Sequence, residues 1–186
     1  VSDGLVERLG RACARVSTNP SIRHRHGDDE SHHAAIPPDV VAWATSTEEV
    51  VGIVRLCAEA RVPIIPFGSG TSLEGHIQAL HGGVCLDLSL MDAILQVNEG
   101  DMDCRVQAGV TRLALNTHLR HTGLIFPIDP GADASLGGMA ACGASGTAAV
   151  KYGTMRENVL GTTAVLADGR VMRTGGRARK SSAGYD

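Results

Sequence analysis

The sequence lacks several features that mark particular classes of protein. None of its five cysteines belongs to a CxxC pair, which argues against a zinc site or a disulfide framework. Runs of about 18 apolar residues are absent, so there is no candidate transmembrane helix. The opening residues, VSDGLVERLG, contain neither the basic nor the apolar region of a signal peptide. The net charge of −3 gives no reason to expect a nucleic acid as a partner. The expected compartment is the cytoplasm.

The most informative segments that are present are two glycine-rich stretches. The first covers residues 66–75 (PFGSGTSLEG) and the second covers residues 129–146 (DPGADASLGGMAACGASG). Segments with so few large side chains let the backbone approach a ligand closely, and their N–H groups can point at phosphate oxygens. Two such segments in one chain predict a single large ligand bound along its length, such as a dinucleotide.

The pattern of apolar residues predicts helices and strands in both halves of the chain. An amphipathic helix starts near residue 5 and ends near residues 19–20, and an irregular arm follows to residue 39. Ser46 and Glu49 form a capping box before a helix that ends near residue 60, and Thr111 and Ser135 can each cap a further helix. Strands are predicted at 40–44, 62–66, 83–88 and 124–128, and hairpins at 93–108 and 159–174.

The order of these elements bears on the fold class. Strands and helices do not alternate regularly, which favours an α+β fold over a doubly wound parallel sheet. A break near residues 90–92 divides the chain into two lobes. Each lobe then contributes one glycine-rich segment, and the ligand lies between them.

Three kinds of nucleotide-binding site could explain these glycine-rich segments. Gly70 and Gly75 have the spacing of a GxxxxGK[ST] phosphate loop, but His76 and Ile77 stand where Lys and Ser or Thr are needed. A Rossmann fold would use Asp87 for the ribose, but residues 71–82 show no apolar stripe for the crossover helix. The third is a flavin site, with the pyrophosphate on the first segment and the small residues of the second against the flavin ring. The competing structural interpretation is that small residues merely let a helix and a strand pack closely.

Five stretches between residue 37 and the end match one known family. They are PPDVVAWATSTEEV (37–50), PIIPFGSGTSLEG (63–75), residues 109–160, VLADGRV (165–171) and RKSSAGYD (179–186). In these stretches the sequence resembles the FAD-binding domain of vanillyl-alcohol-oxidase-type flavoproteins, the PCMH-type domain. The resemblance is closest to the branch of D-lactate dehydrogenase (cytochrome) and glycolate oxidase subunits. The long block that begins DPGADASLGGM is its most specific part.

The resemblance implies a set of cofactor-binding residues. The first FAD loop would consist of Pro66, Gly68, Ser69, Gly70, Thr71 and Ser72, and the second would consist of Pro130, Ser135, Gly137, Gly138, Ala141, Ser145 and Gly146. FAD is expected to be noncovalent, because His76 lies just past the first loop and outside any matching motif. Residues 1–36 would form an N-terminal helix and arm. Residues 37–186 would form the two-lobed FAD-binding domain (lobe 1 about 37–90, lobe 2 about 91–186), incomplete at its C-terminus and truncated before the substrate cap domain.

The resemblance also implies an activity. Such enzymes oxidise a 2-hydroxy acid, pass the C2 hydride to flavin N5 and hand the electrons to a cytochrome, quinone or flavoprotein, either in the cytoplasm or at the periphery of a respiratory membrane. The substrate-binding groups, including a histidine cluster for a divalent metal, would lie in a later part. No catalytic residue and no metal ligand is therefore expected here. The run HRHGDDESHH (24–33) is interpreted as a solvated loop. The alternative function is a non-catalytic nucleotide-binding or scaffold domain without flavin.

Overall fold

A four-stranded sheet forms the centre of the first lobe. The computed structural model describes residues 1–178. The strands are β1 (Arg15–Ser17), β2 (Val40–Trp43), β3 (Ile64–Phe67) and β4 (Val84–Asp87). They are arranged in the order β1-β2-β4-β3. The central strands β2, β4 and β3 are parallel, and β1 joins the edge of β2 in the antiparallel direction.

Helices cover both faces of this sheet because its strands are apolar on both sides. One face carries α1 (Asp3–Ala12) and α3 (Thr47–Ala60), and the other carries α2 (Pro20–Arg25). Successive residues of β2 point to opposite faces, as the pleat requires. Val40 and Ala42 pack with Leu9 and Ile53 in one buried cluster, whereas Val41 and Trp43 pack with Cys85, Ile22 and Phe67 in another.

The second lobe is built from two hairpins and four short helices. The hairpins are β5 (Ile94–Asn98) with β6 (Asp103–Val106), and β7 (Gly161–Val165) with β8 (Val171–Gly175). The helices are α4 (Arg112–Leu119), α5 (Leu136–Ala141), α6 (Ala149–Tyr152) and α7 (Met155–Asn158). Val110, Leu115, Ile128, Met139 and Met155 form the centre of this lobe's core. The α+β class predicted from the sequence is confirmed.

Side-chain caps fix the starts of the main helices. Ser46 Oγ accepts a hydrogen bond from Glu49 N at 3.2 Å, and Glu49 Oε2 accepts one from Thr45 N at 2.7 Å, so α3 begins at Thr47. Thr111 Oγ1 caps α4 by accepting from Ala114 N at 3.2 Å. These interactions satisfy N–H groups that have no partner within the helix. The predicted starts of both helices are therefore confirmed.

The N-terminal region differs from its prediction. The first helix ends at Ala12 rather than near residues 19–20, because Arg15–Ser17 pairs with β2 instead of continuing the helix. The arm that was expected to be irregular contains α2. Asn19 caps α2 by accepting a hydrogen bond from Ser21 N at 2.9 Å, and Pro20 occupies a first-turn position where its missing N–H costs nothing.

The strand predicted at residues 124–128 is wrong. The backbone there is extended, but among residues 1–178 it joins no sheet. The side chain of Asn116 takes the place of a neighbouring strand. Its Oδ1 accepts from Phe126 N at 2.7 Å, and its Nδ2 donates to Phe126 O at 3.2 Å. The stretch RKSSAGYD (179–186) lies outside the described residues. None of the helices between residues 1 and 178 has the length and apolarity to cross a bilayer.

Candidate functional site

The two glycine-rich loops meet at the junction of the lobes. Ser135 N donates a hydrogen bond to Ser69 Oγ at 3.1 Å. A Cβ added at Gly68 would lie 2.3 Å from Ser135 Oγ, so this approach requires glycine. A further contact lies at their far ends, where Cys142 Sγ is 4.0 Å from His76 Nε2. The structure therefore brings together two segments that the sequence places far apart.

The first loop presents unpaired backbone donors. Within residues 1–178, no backbone N–H between positions 68 and 73 donates a hydrogen bond. Gly70 has φ of +67°, a left-handed conformation that lets consecutive N–H groups turn toward a common point. The hydroxyl groups of Ser69 and Thr71 lie 3.4 Å apart on the same loop. Such an arrangement suits an anion that accepts several hydrogen bonds at once.

The second loop is held in place by close backbone packing. Ser135 caps α5 by accepting from Gly138 N at 3.4 Å. Gly137 N donates to Ala108 O at 2.8 Å, and a Cβ at Gly137 would lie 2.6 Å from the Ala108 Cβ. A Cβ at Gly146 would lie 2.1 Å from Asp129 O. In the part of the chain described, the N–H groups of residues 145–148 donate no hydrogen bond, so this loop also offers free donors.

The remaining candidate residues occupy more open positions. Pro66 is exposed near the end of β3, and Pro130, Ala141 and Ser145 are exposed on the second loop. Thr71 and Ser72 are half-buried, and Ser72 Oγ accepts from Glu74 N at 3.4 Å. The geometry thus separates residues that fix the loops against each other from residues that face outward.

Two clefts flank the first loop. A polar cleft of about 630 Å³ lies at the carboxyl ends of the parallel strands and is lined by Phe67, Ser69, Gly70 and Asp87 among others. An apolar cleft of about 560 Å³ runs between α3 and β7 and has Pro66 and Ala108 in its wall. The carboxyl ends of parallel strands are the usual place for ligands in open sheets. The polar cleft therefore borders the first loop, whereas the apolar cleft reaches it only at Pro66.

A buried pair, His26 and Asp87, packs against Phe67 at the start of the first loop. His26 Nε2 lies 2.9 Å from Asp87 Oδ2, and its Nδ1 lies 2.8 Å from the carbonyl of Ile22. Both ring nitrogens face an acceptor oxygen, so neither lacks a hydrogen-bond partner. The ring packs against Trp43 and Phe67, with centroid distances of 5.4 and 4.5 Å.

This pair corrects the interpretation of residues 24–33 as a solvated loop, since His26 and Asp87 are only 9% and 3% exposed. Burial alone would raise the pKa of Asp87, but the hydrogen bonds from His26 and Ser89 outweigh it and hold the pKa below the ordinary value. Nothing in the sequence indicated the pair, because His26 stands between an arginine and a glycine in a polar run. Among residues 1–178, no group of three or more potential ligands is placed to hold a metal ion.

The two competing nucleotide folds do not match this geometry. Residues 71–82, which connect the parallel strands β3 and β4, contain only turns and no crossover helix. Asp87, the acid that a Rossmann site would use for the ribose, is bonded to His26 and to Ser89 N. His76 remains in the position of the phosphate-loop lysine. The loops therefore belong to neither class.

Arg112 is a second residue that the sequence reasoning missed. Its Nη1 lies 3.4 Å from Asp129 Oδ2 at the start of the second loop. Its Nε is shielded from solvent and has no hydrogen-bond partner among residues 1–178. On the same helix, Leu113 N donates to Asp133 Oδ1 at 2.8 Å. The first turn of α4 is thus bonded to the second loop, and Arg112 supplies a cation next to it.

The fold and the paired loops define a two-lobed α+β domain for a dinucleotide. A match to a family described as "FAD binding domain" spans residues 38–175. The chain therefore belongs to this family of FAD-binding domains.

Individual relatives agree with this assignment. The chain is 55% identical over 174 residues to a "Probable D-lactate dehydrogenase, mitochondrial" of Danio rerio, covering 92% of this chain and 35% of the relative. It is 48% identical over 173 residues to the "D-lactate dehydrogenase [cytochrome], mitochondrial" of Arabidopsis thaliana, covering 92% and 30%. The chain spans about a third of the length of these relatives.

A solved structure supports the fold. An alkyldihydroxyacetonephosphate synthase superposes with a TM-score of 0.84 at 24% identity, covering 95% of this chain and 34% of that chain. At this level of identity the likeness concerns the fold alone. The recognition of a PCMH-type flavoprotein domain from the sequence is confirmed, and FAD is the cofactor of the family.

Proposed function

We propose that this chain binds FAD noncovalently between its two glycine-rich loops. The observation that carries the proposal is the hydrogen bond from Ser135 N to Ser69 Oγ, which holds together two loops whose N–H groups at 68–73 and 145–148 have no partner among residues 1–178. The pyrophosphate would be held by residues of the first loop: Pro66, Gly68, Ser69, Gly70, Thr71 and Ser72. The flavin would lie along the second loop: Pro130, Ser135, Gly137, Gly138, Ala141, Ser145 and Gly146.

The residues present fit such a group. A dinucleotide needs backbone approach without side-chain obstruction, and a Cβ at Gly68 would enter the space between the loops. The first loop contains no Lys or Arg, so its free N–H groups would be the donors to the pyrophosphate. Arg112 would add a positive charge near the second loop. Bound FAD supplies the hydride acceptor for oxidation of an alcohol carbon.

We further propose that the whole protein oxidises a small 2-hydroxy acid of the D-lactate or glycolate type. Both relatives described above carry the name D-lactate dehydrogenase, and one is named for a cytochrome. A cytochrome would accordingly receive the electrons. A quinone and a flavoprotein are the alternative acceptors. The names of these relatives contain the word mitochondrial. They favour a cellular location beside a respiratory membrane over the cytoplasm that the sequence suggested.

Added FAD is expected to stabilise the purified chain. A ligand that binds only the folded state adds about 2.7 kcal/mol to the free energy of unfolding when it is present at 100 times its Kd. Thermal unfolding with and without FAD measures this, and NAD⁺ is the matched control because it carries a pyrophosphate but no flavin. Equal stabilisation by NAD⁺ would favour the alternative, a general nucleotide-binding domain. No stabilisation by either ligand would favour a scaffold.

The chain alone is expected to show no turnover with D-lactate, even when loaded with FAD. Oxidation of a 2-hydroxy acid also requires a base for the hydroxyl proton and a cation for the carboxylate. This chain spans about a third of the length of its relatives, and we propose that those groups belong to the part that it does not span. Reduction of an artificial dye by D-lactate and the FAD-loaded chain would show that a catalytic base is present after all.

A further inference from the structure

The first turn of α4 is bonded at three points to the opening of the second loop. Arg112 N donates a hydrogen bond to Ala134 O at 3.1 Å, and Leu113 N donates to Asp133 Oδ1 at 2.8 Å. The third point is an ion pair, in which Arg112 Nη1 lies 3.4 Å from Asp129 Oδ2. All three contacts come from the first two residues of the helix. The start of α4 and the opening of the second loop therefore hold one another in place.

Asp129 links the two ends of the second loop. Its Oδ1 accepts a hydrogen bond from Gly131 N at 3.0 Å, which closes the turn at the start of the loop. Its backbone packs against the other end, because a Cβ added at Gly146 would lie 2.1 Å from Asp129 O and 2.9 Å from Asp129 N. The N–H groups of residues 145–148, which donate no hydrogen bond within residues 1–178, lie at this end. The position of Asp129 therefore determines where these donors lie.

Arg112 is well placed to hold Asp129. Its side chain is 23% exposed, and its Nε is shielded from solvent, so the guanidinium is largely enclosed by the protein. The side chain of Asp129 is 46% exposed. A fully exposed ion pair gains little, partly because two mobile side chains must be held in one geometry. Here the enclosure of Arg112 already restricts one of them.

We propose that Arg112 is a positioning residue, which through its ion pair with Asp129 holds the second loop in the form that binds FAD. The inference rests on the proposed function, because it takes the N–H groups of residues 145–148 as donors to the cofactor. The guanidinium acts on Asp129 and need not contact FAD. A loop that is ordered before the ligand arrives loses less conformational entropy on binding, so its affinity is higher.

Titration of the 186-residue chain with FAD tests this role. Arg112→Ala is expected to raise the Kd about fivefold, as for the loss of one partly exposed ion pair. Asp129→Asn keeps an oxygen for Gly131 N and removes only the ion pair, so its effect should be the same. The double variant is expected to bind no more weakly than either single variant, because both changes remove one shared interaction. Arg112→Lys keeps the cation and is expected to restore part of the affinity.

Arg105→Ala is the matched control for charge. Arg105 is exposed on β6 of the same lobe, and its side chain forms no hydrogen bond or ion pair within residues 1–178. Its removal changes the net charge by the same amount as Arg112→Ala. If Arg112 acted only by attracting the pyrophosphate over a distance, the two variants would weaken FAD binding alike.

Amide hydrogen exchange without FAD measures the effect on the loop itself. Arg112→Ala is expected to speed exchange in peptides covering residues 129–148 and to leave exchange in β2 and β4 unchanged. Arg105→Ala is expected to leave both regions unchanged.

The results that would overturn the proposal are distinct. Equal Kd values for Arg112→Ala and Arg105→Ala would show that only charge matters. Additive effects of Arg112→Ala and Asp129→Asn would show that the two residues act separately. Faster exchange throughout the chain would show a general loss of stability instead of a positioning role. If the unaltered chain binds no FAD, the proposed function fails, and exchange in residues 129–148 alone decides whether Arg112 holds the loop.

Discussion

Replacing His26 with alanine is expected to lower the free energy of unfolding by about 3 to 5 kcal/mol, the usual cost of removing one partner from a buried ion pair. The change leaves the carboxylate of Asp87 buried with only Ser89 N as a donor. It also removes the ring that packs between Trp43 and Phe67. Because Phe67 leads directly into the first loop, the affinity for FAD should fall together with stability.

Urea denaturation measures this loss, and His24→Ala is the matched control. His24 is exposed on the same arm, and its side chain forms no hydrogen bond within residues 1–178. The double variant His26→Ala with Asp87→Ala is expected to lose less than the sum of the two single changes, because the residues are in contact. Additive losses would show that His26 contributes by packing and not by its bond to Asp87.

The dependence on pH follows from the depressed pKa of Asp87. A carboxyl group whose pKa is lower in the folded state contributes its full stability above its unfolded pKa, about 3.9, and loses it as the pH falls through the folded value. The stability difference between the unaltered chain and Asp87→Asn should therefore be large at neutral pH and shrink below about pH 4. A difference that stays constant down to pH 2 would contradict an ionised pair.

Gly146→Ala is expected to weaken FAD binding by about 5- to 150-fold, which corresponds to the 1 to 3 kcal/mol typical of overpacking. The new Cβ would lie 2.1 Å from Asp129 O and 2.6 Å from Asp129 C, and both atoms belong to the backbone. Rotation of a side chain cannot relieve such a contact. The start and end of the second loop must therefore separate, and the free N–H groups of residues 145–148 move with them.

A fluorescence titration with FAD checks this expectation, with Gly100→Ala as the matched control. Gly100 lies in the turn between β5 and β6, where an added Cβ meets nothing within 4 Å. The two substitutions restrict the unfolded chain equally, so that effect cancels. Equal FAD affinities for Gly146→Ala and Gly100→Ala would show that the second loop does not contact the cofactor.

Local interactions explain which parts of the fold could be predicted from the sequence. The starts of α3 and α4 depend on caps within four residues of the helix. The spacing of Ser46 and Glu49 in the sequence indicates the cap of α3. The two hairpins close over short turns. Residues 124–128 fail as a strand because the side chain of Asn116, on a separate helix, occupies their hydrogen bonds. Alternation of apolar residues carries no information about such a partner.

The candidate site likewise combines residues that the sequence revealed with residues that it did not. Small residues in the two loops could be recognised because glycine reports directly on space near the backbone. The buried pair of His26 and Asp87 joins residues 61 positions apart, and its residue types are commonest on surfaces. The contact of His33 with Gly75 likewise arises only when residues 27–36 fold back against the first loop. Sequence reasoning therefore found the surface that faces the ligand and missed the charged residues that support it.

The bond between Ser69 and Ser135 joins residues 66 positions apart in the chain. Neither half of the polypeptide can assemble the recognition surface by itself, and an emerging chain acquires it only after residue 135 has been made and docked. A nascent or misassembled molecule would consequently remain colourless. If FAD binds as proposed, its visible absorbance would therefore report whether the two loops have come together.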